Sequence, residues 1–513
     1  MSSHAARGVV RAALAIAAAL LLTRLWFLAH RALDLDEYEH AHAAWSVAHG
    51  LLPYRDFFEH HPPLLYIVAA PLFAPETASD ASAAARALMI ARAAMWLATV
   101  LSVAIVYRLG AVMRDRLAGA LAVLLLATSS QFLESMLEFR PDVPSVLCVL
   151  ASVWCLAGVD DEADLRRRHV RAVAGGAAFG AALLLTQKAI FAAPGLGLAL
   201  LIRRRTTSLT LFAIGVSLPI AATAWWFYTR GAFGRFWYYT VTFNGTLNAD
   251  RFSPFPRLAS NIIQQPAIYV LGAIGITIRL KPDTTPTTVR PGPDTASRPP
   301  GSIGDTAAAS GLSRTVITST ALSLIAGIFI IGKAYDQYYT LLLPLLAVLG
   351  GAVAAASLDA TRHGPSIAGA AMVILAAVSL ATSARRFTPI EPQLDEIAFV
   401  TAQTRPSDTY VGGSPGAALF RPHGWYYFFL TGPFASEADY ANLLAALDAG
   451  RVRPRLIVRD RYLAQRAPPA LLGYIAAHYQ QARGDVYLRQ SEYGSVSLNT
   501  SDASDRLDRP FTR

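Results

Sequence analysis

The 34 residues from Leu33 to Tyr66, LDLDEYEHAHAAWSVAHGLLPYRDFFEHHPPLLY, hold six carboxylates and five histidines. Groups that move protons or ligate metals are crowded there between two apolar stretches. Three uses fit these residue types. The segment can be a solvated amphipathic connector. It can be a metal site built from His40, His42, His60, His61 and the nearby acids. It can be one wall of an active site, where an acid near the bilayer surface acts as general base and cations hold an anionic leaving group. No His-Glu-x-x-His or comparable ligand spacing occurs, so a divalent metal is possible but not required.

Three further short segments carry ionisable or aromatic groups between apolar runs. LEFRPDVPS supplies Glu138, Arg140 and Asp142. TQKAIF supplies Lys188, one of only three lysines in the chain. GKAYDQYY supplies Lys333, Tyr335, Asp336, Gln337 and Tyr338. Singly, each reads as an interfacial anchor, because Lys, Arg and Tyr favour that depth. Gathered on one face of a helical bundle, they become functional candidates, since ionisable groups at membrane depth are rare and costly.

The elements that must position these groups are membrane helices. The chain of 513 residues is 54% hydrophobic and only 16% charged, a balance that argues against a soluble protein. Its net charge of +10 falls in short clusters between apolar runs, not along one basic stripe, which argues against nucleic-acid binding. About eleven apolar stretches are expected to span the bilayer: 9–30, 86–108, 117–133, 143–158, 171–186, 189–202, 208–228, 265–279, 315–332, 338–357 and 365–383. The first is read as a retained helix, because its apolar core exceeds that of a signal peptide. Residues 64–73 are apolar but too short to span. Cys148 and Cys155, seven apart on one helix, are about 10 Å apart by the helical rise, so they form no disulfide.

Alternate loops are basic: Arg7 and Arg11, Arg108 to Arg116, DDEADLRRRHVR, Arg203 to Arg205, the segment after Arg279, and DATRH. The positive-inside rule places these on the cytoplasmic side. The loops 31–85, 134–142, 187–188, 229–264 and 333–337, and everything after 384, then face the other side, with Arg385 and Arg386 as an exception. The Pro/Thr-rich insert 281–313 reads as a disordered cytoplasmic loop. From 388 onward, short strand patterns (DTYVGGSP, PRLIVRD, DVYLRQS) alternate with amphipathic helix patterns (EADYANLLAALDAG, LLGYIAAHYQQ). The expected fold is a polytopic α-helical membrane domain, 1–387, with a small extracytoplasmic α/β domain, 388–513. GGSPG lacks the Lys-Ser/Thr ending of a phosphate loop and reads as a turn.

The order Asp-Glu after the first span, then HHPPLLY, RPD, TQK and YDQYYTLLLPLL, resembles the GT-C membrane glycosyltransferases. The nearest branch holds the protein O-mannosyltransferases and the lipid A aminoarabinose transferases, and the resemblance covers about 1–385. It implies transfer of a sugar from a polyprenyl-phosphate donor to an acceptor hydroxyl of a lipid, glycan or protein, usually with inversion, on the extracytoplasmic face of the plasma membrane, with no nucleotide and no required cofactor. It implies that Asp36, within the Asp36-Glu37 pair, is the catalytic acid, and that Asp142 is the second-loop acid. His61 stands where aminoarabinose transferases carry a phosphate-binding lysine, and Lys188 is the candidate replacement. Gln337 stands where relatives often carry a basic residue before Tyr338. The candidate site is therefore Asp36, Glu37 and Asp142 for catalysis. His61, Lys188, Arg55 and His60 are candidates for the donor phosphate, and Tyr38, Arg140, Tyr338 and Gln337 for the substrate. Trp45, Tyr54 and Phe57 are candidates to border the sugar or the lipid. The alternatives are a transporter or lipid flippase, and a non-catalytic membrane scaffold. A transporter should show an internal repeat and helices broken at mid-membrane, and the sequence shows no repeat.

Overall fold

The computed structural model describes residues 2–73, 75–160, 162–247, 254–278, 311–331 and 335–490. Lys333 and residues 281–310 of the Pro/Thr-rich insert lie outside them. The chain divides into two compact units, Met1–Ala398 and Phe399–Arg513.

The first unit is helical. Its elements up to the second outer loop are α1 Ser3–His30, α2 Leu35–Ala48, α3 Leu64–Ala69, α4 Ala81–Met113, α5 Arg116–Ala127, α6 Ser130–Ser135 and α7 Asp142–Ala157. There follow α8 Leu165–Leu185, α9 Ala193–Ile202, α10 Thr206–Tyr228, α11 Phe233–Trp237, α12 Asn244–Leu247, α13 Phe255–Gln264 and α14 Pro266–Thr277. The last four are α15 Gly311–Ile330, α16 Leu343–Asp359, α17 Gly364–Arg385 and α18 Glu391–Gln403. By length and composition, five helices can cross a membrane unaided: α1, α4, α10, α15 and α17. Shorter apolar helices, including α5, α7, α14 and α16, pack among them.

Exposure separates lipid-facing from central helices. Leu22 on α1, Leu97 on α4, Leu218 on α10 and Val373 on α17 are large, apolar and exposed, as expected of surfaces solvated by lipid. On α5, by contrast, every residue from Leu117 to Ala127 is buried, and α16 is buried from Leu343 to Val353. These two pack together at the centre. They approach closely because Gly351 offers no side chain: a Cβ there would lie 2.5 Å from the Ala118 carbonyl oxygen. The α8–α10 pair uses the same device through Gly176, Gly180 and Gly215, the small-residue spacing that lets membrane helices touch backbone to backbone.

Each of the eleven apolar stretches coincides with a helix, with two corrections. The stretch 117–133 is not one helix. It breaks at Thr128–Ser129, where the Ser129 hydroxyl caps the N-terminus of α6. Residues 311–313, expected to be disordered, begin α15. The break expected near Gln187 and Lys188 is present as a 3-10 turn, Gln187–Ala192.

The two sets of loops lie at two ends of this unit. At one end Arg114 pairs with Asp359 and Arg205 with Asp160. At the other, Arg31 pairs with Glu138, Lys188 with Asp142, Arg257 with Asp336 and Arg386 with Glu134. Arg386, an exception to the charge rule, is thus neutralised by a buried acid.

The second unit carries a four-stranded sheet in the order β1-β2-β4-β3, from β1 Tyr410–Gly412, β2 Leu456–Val458, β3 Tyr479–Arg483 and β4 Val486–Arg489. The β1–β2 pair is parallel and the others antiparallel. Helices α19 Glu437–Asp448, α20 Arg461–Arg466 and α21 Pro469–His478 supply Leu443, Leu447, Leu463, Leu471 and Ile475 to its core. The expected helix LLGYIAAHYQQ stops at His478; Tyr479 onward is β3, whose Tyr479 ring joins the core. GGSPG is a turn in which the Ser414 hydroxyl donates to Asp460, 2.6 Å away.

Candidate active site

Helix α2 is the platform of the first loop. Asp34 caps it: its carboxylate accepts from the Asp36 amide, and the Glu37 side chain accepts in return from the Asp34 amide at 2.9 Å. A helical period then sorts neighbouring acids onto different faces. Asp36 stays partly exposed, its side chain retaining 30% of its accessible surface, and forms an ion pair with Arg140. Glu37 is buried and takes two hydrogen bonds from Arg92, at 2.8 and 2.6 Å, and one from the Phe139 amide at 3.0 Å.

Glu37 is therefore a bracket between α2, α4 and the second loop, with both oxygens occupied by protein donors. This corrects its catalytic assignment. Sequence reasoning missed Arg92, although an arginine inside a long apolar helix is itself a signal.

Arg140 is the hub of the second loop. Besides Asp36 it meets Glu138 at 2.6 Å and Asp34 at 3.9 Å. Asp142 opens α7, where the helix dipole favours a negative charge. It accepts from Lys188 Nζ at 2.9 Å. The Lys188 ammonium also lies 4.1 Å from the centroid of the Tyr338 ring. Three outer segments thus meet at Lys188: the start of α7, the 3-10 turn after α8, and the turn Asp336–Tyr339. Gln337 lies on that last turn, half-buried.

His60 and His61 reach this region through a shaped loop. The chain turns at Gly50 (φ 84°) and Tyr54 (φ 68°), both in the left-handed region. Tyr54 is fully buried against Phe227 and Phe236, and its hydroxyl donates to the His61 carbonyl at 2.7 Å. Gln187 and Asn244 side chains donate to the His60 carbonyl at 2.6 and 2.7 Å. Gln187 and Asn244 are positioning residues that the sequence did not reveal, since their partner is a backbone carbonyl of a distant loop; Tyr54, singled out as a candidate to border the substrate, holds the His61 carbonyl.

Against the two imidazoles lie Glu39, from α2, and Glu59. Burial and the neighbouring Glu59 raise the Glu39 carboxyl well above the ordinary range. Burial opposes the charge on Glu59 too, but the hydrogen bond from His61 holds this carboxyl below its usual value. Burial and the nearby His61 push His40 and His60 well below the usual imidazole range. His40 bonds the Tyr66 hydroxyl at 3.0 Å, and His42 stacks on Trp45.

The structure thus gathers Asp36, Arg140, Asp142, Lys188, Tyr338, His60 and His61 around one set of loops of the first unit. It does not bring Arg55 to them. That side chain is largely exposed, pairs with Asp56 at 2.8 Å and lines a separate pocket with Trp226 and Arg230. Tyr38 is buried, within Coulomb range of Glu37 and Glu396. Trp45, Tyr54 and Phe57 are also buried, packed within the protein that supports the loop.

The sequence profile of the dolichyl-phosphate-mannose-protein mannosyltransferases matches residues 61–227. The chain is similar to the crystal structure of ArnT from Cupriavidus metallidurans bound to undecaprenyl phosphate, at 14% identity and a TM-score of 0.62, covering 94% of this chain and 97% of that one. It is also similar to the apo oligosaccharyltransferase of Archaeoglobus fulgidus, at 11% identity and a TM-score of 0.52, covering 89% of this chain and 69% of that one. No curated protein matches it in sequence. Fold and profile together agree with the resemblance carried by the loop motifs: this is a multi-helix membrane protein with the fold of the GT-C glycosyltransferases.

Proposed function

We propose that this protein transfers a sugar from a polyprenyl-phosphate donor to an acceptor hydroxyl, at the extracytoplasmic face of a plasma membrane. The observation that carries this reading is the meeting of two ion pairs, Asp36–Arg140 and Asp142–Lys188, at one end of the helical bundle. A carboxylate that can take a proton and a cation that can hold a phosphate are the two groups the reaction needs. The neighbour bound to undecaprenyl phosphate supports the donor class.

In this mechanism the acceptor oxygen attacks the anomeric carbon as Asp36 takes its proton. The carbon–oxygen bond to phosphate breaks on the opposite side, so the configuration inverts, and polyprenyl phosphate leaves with the electron pair. Arg140 pairs with Asp36 and orients it. Lys188 exchanges part of its contact with Asp142 for the phosphate oxygens, where a charge-assisted hydrogen bond stabilises the leaving group. The donor carries its own leaving group, so no nucleotide is required. Its lipid tail explains why the groups sit where apolar helices end. The pattern of basic loops supports a cytoplasmic N-terminus and an extracytoplasmic C-terminal α/β unit in this reading.

The test is purified protein in detergent with a panel of polyprenyl-phosphate sugars, measuring free polyprenyl phosphate. One donor class should be consumed when an acceptor is present. A full panel left intact, with acceptor lipids, glycans and peptides all supplied, refutes the transferase reading.

A further inference from the structure

We infer that Glu39, Glu59, His60 and His61 form a binding site for one divalent transition-metal ion of the zinc class. Each offers one donor atom, and the four atoms lie within 4.8 Å of one another. The carboxylate-to-imidazole separations are 2.9 Å for Glu59–His61, 3.6 Å for Glu39–His61, 3.7 Å for Glu59–His60 and 4.0 Å for Glu39–His60. Zinc bonds to nitrogen and oxygen of about 2.0–2.2 Å, arranged tetrahedrally, place ligand atoms about 3.4 Å apart. The observed separations straddle that edge, so small side-chain shifts suffice to close the site.

A second observation is independent of this spacing. The Glu59 side chain is fully buried, and its Oε2 has no hydrogen-bond partner in the protein. A buried carboxylate oxygen without a donor is costly and calls for a ligand. Among the described residues, no lysine or arginine pairs with Glu39 or Glu59; two imidazoles and the neutral Tyr66 hydroxyl face them. The missing component is a cation. The donor set selects its class: magnesium and calcium prefer all-oxygen shells, whereas imidazole suits zinc and its transition-metal neighbours.

The frame is preorganised. The His60 carbonyl is held by Gln187 and Asn244 and the His61 carbonyl by Tyr54, while Glu39 rides on α2. Of the histidines the sequence offered, His40 and His42 are spent on Tyr66 and Trp45. The site lies within Coulomb range of Lys188. Its ion therefore supplies, beside Lys188, positive charge that a neutral His61 cannot give the donor phosphate. That last step rests on the polyprenyl-phosphate reading; the metal site itself does not.

The experiment uses the full chain in detergent, stripped with EDTA and dialysed. Zn2+ is titrated calorimetrically, and Co2+ is followed by the visible absorption of a tetrahedral complex. One Zn2+ should bind per chain, and Glu59→Gln and His61→Ala should each weaken it about a hundredfold, at the upper end of effects seen even for supporting residues. The wild-type Co2+ spectrum keeps the idea testable if a variant fails to fold. Absence of saturable Zn2+ and Co2+ binding overturns the site, as does Zn2+ binding by both variants as tight as that of the wild type. In a second arm, stripping should weaken binding of polyprenyl phosphate at least tenfold. One bound Zn2+ with unchanged polyprenyl-phosphate affinity overturns the charge-replacement step, whereas the donor panel tests the transferase reading separately.

Discussion

Asp36 and Glu37 are sequence neighbours with opposite assignments, so their amide substitutions should separate activity from stability. The Asp36 carboxylate is 30% exposed, and its partner Arg140 retains Glu138 at 2.6 Å when Asp36 becomes neutral. Loss of such a partly solvated pair changes stability by no more than about 1 kcal/mol. Loss of a general base lowers turnover by about 10²–10⁴, which is about 3–5 kcal/mol of barrier. Glu37 behaves in the reverse way. The Glu37 and Arg92 side chains retain only 1% and 3% of their accessible surface. Glu37→Gln leaves the Arg92 guanidinium buried without its countercharge, a cost of about 3–5 kcal/mol. At about 2 °C per kcal/mol for large domains, the unfolding midpoint falls by roughly 6 °C or more. The assay pairs thermal unfolding in detergent with release of polyprenyl phosphate at a temperature where both variants are folded. Asp36→Asn should be folded and inactive, and Glu37→Gln unstable but active. The opposite pattern, a stable and inactive Glu37→Gln beside an active Asp36→Asn, would refute the reasoning that sorts the two acids by helix face.

Lys188→Met should weaken polyprenyl-phosphate binding by about 10- to 150-fold, the equivalent of a charged hydrogen bond of about 1.5–3 kcal/mol, with Lys188→Arg retaining part of the affinity; equilibrium binding measures both. Gly176→Leu should separate α8 from α10, because a Cβ there would collide with the Phe212 carbonyl oxygen; lower yield of folded protein and a destabilisation of about 1–3 kcal/mol are expected, read by thermal unfolding. Tyr54→Phe removes the hydroxyl that holds the His61 carbonyl; about 1 kcal/mol of stability is lost, and donor affinity should fall more than in Tyr38→Phe. Reporter fusions after residue 490 should signal an extracytoplasmic location and fusions in 281–310 a cytoplasmic one; a cytoplasmic C-terminus overturns the topology.

Much of this protein is local enough to be read in one dimension. A run of apolar residues specifies a membrane helix whatever its neighbours, because a lipid-solvated backbone must bond to itself. That is why the apolar stretches lie on helical segments, although 117–133 breaks in two and only five described helices are long enough to cross a membrane unaided, and why Asp142, Lys188 and Tyr338 are recognisable as ionisable or aromatic groups at helix ends. Three of the four described strands of the C-terminal unit are legible from their β-branched and aromatic residues; β3, Tyr479–Arg483, reads in sequence as the end of a helix.

Partnerships across the chain were not legible. Glu37 and Asp36 look alike in sequence; only Arg92, 55 residues away, makes one of them structural. Arg55 looked as eligible for phosphate as Lys188, until the left-handed turns at Gly50 and Tyr54 placed it in another pocket. Glu39 and Glu59, both passed over, face the same two histidines because α2 and the His60–His61 loop are packed together from different elements. Residue types and hydropathy depend on the chain itself and are fixed once it is made. Which charge meets which depends on how helices of fixed length pack, and that is a property of the folded bundle alone.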